Sequence, residues 1–556
     1  MNGQPTSDDS RHGAPGESFA THAPHNLPQP LGAYDAFSTD SALRESLHRH
    51  GAGWADSDVA AYGRVAGGEL MELGALANQH RPQLRLFDVQ GRRLDQVEFH
   101  PAYHRIMGLA FAHGVPNFAW RNETKPGAHV ARAALVYLHA QAEQGSECPL
   151  TMTYASVPAL RQQPQVADEW LPRVLSAEYD PRFLPAAHKA AATIGMGMTE
   201  KQGGSDVRSN TTRATAVSGR GPGAWYELVG HKWFVSAPMS DAFLVLAQSA
   251  GGLSCFLLPR FAPDGTVNAI RIQQLKDKLG DWSNASAEVE LQGALAMMVG
   301  GEGRGVATIL EMVALTRLDC MLGSAALMRQ SLVQALHYTP QRMAFGKRLG
   351  TQPLMQNVLA DLALESEAAL ALALRVARAV DAAPRDPREA AFARLATAIG
   401  KYWVCKRCTP FVNEAQETFG GIGYIEGTMM PRLYRQAPLN SIWEGSGNIQ
   451  CLDVLRTLAR EPLAREVLFD ELELARGGHP DFDHACDRLR RELGSAEPME
   501  LRARALTEQM ALALQAAQLI QAGQAEVTEA FCQSRLGREH GLAFGTLPAQ
   551  MPMASD

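Results

Sequence analysis

Apolar residues recur at three- and four-residue intervals through most of the stretch from about 30 to 190, as in HVARAALVYLHAQAE (129–143). That spacing gathers them on one face, so it predicts helices that each turn a stripe toward a core. Near 191 the period changes. YELVGHKWFVSA (226–237), AFLVLAQ (242–248), SCFLLPR (254–260) and AEVELQG (287–293) are short, β-rich and separated by Gly, Pro and Asp turns. Strands in such quick succession, with no helices between them, predict an antiparallel barrel or sandwich. After about 303 long helical patterns return, including 353–380 and 388–419. A further helical stretch over about 456–556 ends in a loose tail. The first 20 residues are polar and rich in Gly, Pro and Ser, with too little to bury, and are expected to be disordered.

The plan is therefore α+β. It has a tail at 1–20, a helical domain at 21–190, a β-domain at 191–297, a second helical domain at 298–455 and a helical extension at 456–556. Composition agrees with it: 556 residues with 46% hydrophobic side chains can fill real cores. A net charge of −7 with interspersed signs argues against a generally basic, nucleic-acid-coating protein. No apolar run is long enough to span a bilayer, and the start MNGQPTSDDSRHGAPGES shows no apolar signal region, so no membrane role is expected. Eight scattered cysteines suit a reducing cytoplasm better than a disulfide framework. Cys405-x-x-Cys408 is the one close pair. It lies in a helical pattern without a second pair, and no metal site is expected.

Several short stretches carry chemistry, each with a plain structural alternative. MGMTEKQGGSD (196–206) offers hydroxyls at Thr199 and Ser205 around two glycines, which suits close approach of backbone to a flat ring or a diphosphate. Alone it reads as an ordinary turn. GHKWFVS (230–236) sets Trp233 on a strand, where an aromatic normally packs. RMAFGKRLGTQPLMQ (342–356) places a cation and an aromatic around a helix start. ETFGGIGY (417–424) looks like a helix C-cap. In SIWEGSGNIQ (441–450), Glu444 follows a tryptophan and precedes Gly-Ser-Gly, an arrangement that desolvates an acid and lets backbone pass a planar ligand closely.

Taken in this order, MTEKQGGSD, GHKW, KLG with a strand, RMAFGKRL, FGGIGY and WEGSGN resemble the acyl-CoA dehydrogenase family of flavoproteins over roughly residues 100–455. The longer runs MTEKQGGSDVRSNTTRA (198–214), GHKWFVSAPMSDA (230–242), AGGLSCFLLPR (250–260), LKDKLGDWSNAS (275–286) and APLNSIWEGSGNIQCLDVLR (437–456) are similar to its alkylation-response branch. GAGWADSD (51–58) and RRLDQVEFHP (92–101) extend that likeness to nearly the whole chain.

The resemblance implies the acyl-CoA dehydrogenase fold: an N-terminal helical domain, a middle antiparallel β-domain and a C-terminal four-helix domain. It also implies FAD between the last two, and a homotetramer. Met198 and Thr199 would lie along the flavin, with Gly204 and Ser205 near the ring and diphosphate. Trp233 would pack on the flavin. Arg342 and Phe345 would reach a neighbouring subunit's FAD, where Gly420 and Gly421 let backbone approach the adenosine half. Ser446 and Asn448 would hydrogen-bond FAD.

Glu444 would be the base that takes the α-proton of an acyl thioester, while the β-hydrogen leaves as hydride to the flavin. That role asks for a desolvated carboxyl with a pKa above the usual value of about 4.3. Some members keep their base on a helix corresponding to 314–319; Thr316 stands at that position here. Ordinary members carry a threonine beside the flavin N5 where this chain has Val235, with Ser236 next to it. Glu417 stands where they have a glutamine.

Weak or specialised dehydrogenation of a short branched acyl-CoA, of the isovaleryl kind, is the activity this implies. Two other readings keep the fold. One is a DNA-binding protective flavoprotein with little turnover, in the response to DNA alkylation. Arg488, Arg490, Arg491, Arg502 and Arg504 would face double-stranded DNA, although residues 451–556 hold eleven Arg, no Lys and seventeen Asp or Glu, a net of −6. The other is a flavin oxidase on a different carbon acid, for which relatives use an aspartate as base.

Overall fold

The computed structural model describes residues 21–23, 25–495, 498–537 and 540–548; the expected tail at 1–20 lies outside them. The first layer is α1 (Ser41–Arg49), α2 (Asp56–Ala66), α3 (Glu69–Gln79), α4 (Pro101–Ala112), α5 (Phe118–Arg121), α6 (Ala128–Ala142), α7 (Glu147–Arg161) and α8 (Pro164–Val174). Between α3 and α4 runs a hairpin that the helical reading missed, β1 (Gln83–Phe87) with β2 (Arg93–Glu98). It belongs to the β layer in space: Asp95 accepts from the Ile272 N–H at 2.9 Å, and Val97 joins the β core. The expected one-faced pattern of 129–143 is also corrected. Every residue of α6 is buried, Arg132 and His139 included, because helices close over it on all sides.

The β-domain holds β3 (Ile194–Gly197), β4 (Arg213–Ser218), β5 (Trp225–Ser236), β6 (Ala242–Ser249), β7 (Gly252–Pro259), β8 (Ile270–Leu275) and β9 (Ser286–Val299). Pairing runs β6–β4–β5–β9–β7 and returns to β6, so the sheet closes on itself and leaves few open edges. Most ladders are antiparallel, but β3 and β4 both pair with β6 in parallel. β5 carries one extra residue against β9, between Lys232↔Val289 and Val235↔Ala287. Such a bulge releases one N–H from the ladder and re-aims its side chain.

After β9 come α9 (Gly305–Tyr338), a short hairpin of β10 (Met343–Ala344) and β11 (Lys347–Arg348), α10 (Pro353–Ala382), α11 (Pro387–Glu417), α12 (Met430–Gln436) and α13 (Gly447–Arg460). The extension adds α14 (Pro462–Glu473), α15 (Pro480–Gly494), α16 (Met499–Ala522) and α17 (Ala525–Phe531). It is no loose appendix. Leu468, Phe482, Leu506 and Leu514 share one apolar core with α6, α9 and α10. Residues 540–547, expected to be loose, are tied down: the Gly545 N–H donates to Asp361 at 2.8 Å and the Leu547 N–H to Asn357 at 3.0 Å. A second apolar core joins α7, α8, β3, β6 and the first turns of α9, and against it pack Met198 and Trp443.

Candidate active site

Glu444 sits on a loop whose backbone is wound tightly. Its φ is +56° and that of Gly445 is +94°, so two consecutive residues lie in the left-handed region. A Cβ on Gly445 would come within 2.7 Å of Gln450 Nε2 and 3.2 Å of an Arg317 nitrogen; only glycine fits. A non-glycine residue held at positive φ needs its surroundings to enforce it. Here they do so through the carbonyls. Arg317 Nε and Gln450 Nε2 donate to the Glu444 carbonyl at 2.9 and 3.0 Å, and buried Lys401 bridges the Trp443 and Gly445 carbonyls at 2.7 and 2.6 Å. Arg317 is fixed in turn by Asp453 at 2.8 Å. Arg317 is thus an ion-pair residue that also clamps the loop.

Among the described residues the carboxylate is held by one donor, the Thr316 hydroxyl, 2.7 Å from Oε2. Burial pushes the Glu444 carboxyl above its ordinary range, while the Thr316 hydroxyl and the charges of Arg317 and Lys401 pull it partly back. A base that binds its proton more firmly than free glutamate, yet stays ionisable, suits abstraction of a weakly acidic C–H. Cys148, at the start of α7, lies within electrostatic reach of both Glu444 and the Ser236 hydroxyl, and burial pushes its thiol up to about 12. Trp443, next to Glu444, packs on the same apolar core as β3, β6 and Met198, which sets the Glu444 loop against this end of the barrel.

That end is built by the β5 bulge. The Trp233 N–H, freed from the β9 ladder, donates to the Thr199 carbonyl at 2.8 Å, binding the loop after β3 to β5. Gly204 folds back on Thr199 so closely that a Cβ would stand 2.4 Å from the Thr199 hydroxyl. Ser205 is exposed beside it, and Met198 packs on the second core. Lys276 Nζ lies 3.3 Å and Lys201 Nζ 5.4 Å from the Trp233 ring centroid. Beneath, Glu200 and Lys232 form a fully buried pair at 2.9 Å, with Glu200 also accepting from the Thr211 and Thr212 N–H groups. Ser236 faces Ser286 at 3.2 Å, while Val235 turns into the barrel core.

Other expected residues fall elsewhere. Ser446 precedes α13 without capping any N–H of it, so its hydroxyl is uncommitted to the helix. The Asn448 amide oxygen accepts from Arg504 of α16 at 2.8 Å. Arg342 donates to the Asn26 carbonyl at 2.5 Å, and Phe345 is 99% exposed at positive φ. Gly420 and Gly421 are exposed, with open space where a Cβ would stand. Tyr338, at the end of α9, stacks on Phe419 beside them, and Tyr338 is 22 residues from Thr316, or about 33 Å along the helix. One chain does not bring this group together with Glu444.

The five arginines of the extension are mostly engaged. Arg490 pairs with Glu473 at 2.9 Å, Arg502 with Glu492, and Arg504 with Asn448. Cys405 and Cys408 are buried in α11, with Cys405 donating to the Cys320 carbonyl at 3.4 Å. Lys401 and Gln450, which shape the loop, carry no motif that marks them in the sequence.

A loop-borne carboxylate facing the open end of a β-barrel, with a helical layer on either side, defines an acyl-CoA dehydrogenase type of architecture. Domain models agree along the chain: the adaptive response protein AidB N-terminal domain matches residues 26–181, the acyl-CoA dehydrogenase middle domain 195–294 and the acyl-CoA dehydrogenase C-terminal domain 303–459. The chain belongs to the acyl-CoA dehydrogenase family, which binds FAD. It is 48% identical to the AidB protein of Escherichia coli (strain K12) over 526 residues, 94% of this chain and 96% of that one. A solved structure of Caenorhabditis elegans ACDH-11 in complex with C11-CoA superposes with a TM-score of 0.85 at 27% identity, covering 95% of this chain and 96% of that one. Mitochondrial isovaleryl-CoA dehydrogenase of Oryza sativa subsp. japonica is 28% identical over 51% of this chain and 66% of its own length. No helix among the described residues is long and apolar enough to cross a membrane.

Proposed function

We propose that this chain dehydrogenates an acyl-CoA at the α and β carbons, with Glu444 as the base. The observation that carries this is the carboxylate raised by burial yet held by Thr316, on a loop that faces the barrel end. The residues there fit FAD. Gly204 permits the close approach a flat ring requires, Ser205 offers a hydroxyl, and the lysines around Trp233 favour a diphosphate. Met198, Thr199, Trp233 and Ser236 would lie along the ring, and Ser446 would reach it from the Glu444 loop. Bound FAD supplies the hydride acceptor.

The chain's own part is to place the thioester so that its α-proton meets Glu444. Trp443 and the surrounding core exclude water, and the proton is then held on the Glu444 carboxyl. Removing H⁺ from one carbon and H⁻ from the next leaves a 2,3-enoyl thioester. Phe345, 99% exposed, and Tyr424, 83% exposed and three residues after Gly421, offer apolar surface for a second copy. A homotetramer in which that copy completes each FAD site follows from this reading.

The likeness to isovaleryl-CoA dehydrogenase makes a short branched acyl-CoA the first substrate to try. The arginine pairs of the extension and its net acidity do not favour the DNA reading, and Glu444 in place of an aspartate does not favour the oxidase. The test is an anaerobic titration of the FAD-loaded protein with isovaleryl-CoA. Bleaching of the flavin band in wild type but not in Glu444→Gln supports the proposal. Bound flavin that no acyl-CoA bleaches would sink it.

A further inference from the structure

α9 runs inward from the Thr316–Glu444 pair. Seven residues on, two turns and so on the same face, is Gly323. Where that glycine lacks a side chain, the Glu147 carboxylate fills the approach: a Cβ there would stand 2.8 Å from both of its oxygens. Glu147 heads α7, one residue before Cys148, which lies within electrostatic reach of Glu444. Cys320, on the α9 face between Thr316 and Gly323, feels both acids. A line of side chains thus leads from the base to Glu147, about 10 Å along α9.

Glu147 is unlike the other acids in this interior. Asp319 is paired with Arg132, and Glu143 accepts from Ser146 and Ser283 at 2.5 and 2.6 Å. The Glu147 carboxylate has no hydrogen-bond partner among the described residues, and Glu147 is only partly buried while Ser146 and Cys148 beside it are buried, which leaves room next to it. Burial holds its carboxyl well above the ordinary range, with Asp319, Asp281 and Glu143 adding to that and Arg132 opposing it. Nearby, one oxygen of buried Asp281 and one nitrogen of buried Arg132 also lack hydrogen-bond partners among the described residues. An apolar chain end brought against these groups would leave them unsatisfied, at a cost a polar end avoids.

We propose that Glu147, opposite Gly323, forms the polar floor of the acyl cavity and selects thioesters whose far end donates a hydrogen bond, a hydroxyl or an ammonium. This rests on the dehydrogenase reading and adds the substrate's distal chemistry to it. Extended chains advance roughly 1.2 Å per bond, so an acyl group of about eight carbons spans the distance from the base.

The test compares octanoyl-CoA with 8-hydroxyoctanoyl-, 8-aminooctanoyl- and octanedioyl-CoA. Affinity is read by calorimetry and flavin bleaching under anaerobic conditions, with isovaleryl-CoA as a short substrate that does not reach the floor. Wild type is expected to bind the hydroxy or amino compound at least about tenfold tighter than octanoyl-CoA. Glu147→Leu should reverse that order. Glu147→Gln, closer in shape, should keep part of the hydroxyl preference and lose the ammonium one. Equal affinities in wild type, or a preference for the octanedioyl compound, overturn the inference and leave the dehydrogenase reading standing if isovaleryl-CoA still bleaches the flavin. Bleaching by none of the thioesters overturns both.

Discussion

The Thr316 hydroxyl donates to the Glu444 carboxylate at 2.7 Å, joining the first third of α9 to the loop before α13. The resemblance implies that some members of the family carry their base at the Thr316 position of this helix. In this chain the two candidate positions touch, and one supports the other.

Removing that donor should show in the pH profile. Thr316 favours the ionised form, so Thr316→Val raises the Glu444 pKa further. The acid limb of flavin reduction by an acyl-CoA should move to higher pH, with the rate recovering above it. Thr316→Ser should restore the wild-type profile. An unmoved limb would show that the hydroxyl does not tune the base.

Glu444→Gln keeps the shape of the side chain and removes the base. Flavin reduction should slow by about 10²- to 10⁴-fold, the usual contribution of a positioned general base. FAD content and thermal stability should stay near wild type, because Gln450, Arg317 and Lys401 hold the loop through its carbonyls and not through this side chain. Loss of FAD would place Glu444 in the scaffold instead.

Lys401→Met should damage the loop and, by removing a charge that favours the ionised form, raise the Glu444 pKa further. It leaves the Trp443 carbonyl without its donor, at about 1–3 kcal/mol, while the Gly445 carbonyl keeps Gln450 Nε2 at 2.9 Å. Denaturant unfolding measures the loss, and activity should fall with it.

Glu200→Gln strands the buried Lys232 ammonium, for which a cost of about 3–5 kcal/mol is typical. In wild type, burial would raise the Glu200 carboxyl, but the Lys232 charge and the Thr211 and Thr212 donors hold it below its ordinary 4.5. The folded state thus binds this proton more weakly than the unfolded chain does. The contribution is complete above pH 4.5 and drains away as pH falls toward the folded-state value. Wild type should lose stability through that window, and Glu200→Gln should lose less.

Phe345→Ser tests the subunit surface. A side chain 99% exposed has nothing to lose within one chain, so monomer unfolding should be unchanged. Sedimentation should show weaker self-association, and FAD should dissociate more readily.

The residue pattern by itself determined the layer order, since a period of three to four residues and a period of two are physically exclusive along one segment. The short runs of glycine, hydroxyl and acid around Gly204 and Glu444 also determined which loops carry chemistry, because close approach to a flat ligand needs those residue types. The β1–β2 hairpin escaped, being a short half-exposed pair of strands whose partners lie near Ile272, almost two hundred residues away. α6 read as one-faced although it is buried throughout, because which faces a helix buries is set by the neighbours that close over it.

Only the tertiary structure decided what surrounds Glu444. Thr316 comes from 128 residues away, and Lys401 and Arg317 from other helices. The extra residue that turns Trp233 onto Thr199 is visible only against β9. Glu147 looks in sequence like any helix-opening acid. Its lack of a hydrogen-bond partner among the described residues and its place opposite Gly323 arise from how α7 packs on α9. Desolvation and hydrogen bonding depend on distances across the fold, and those are set when the layers pack.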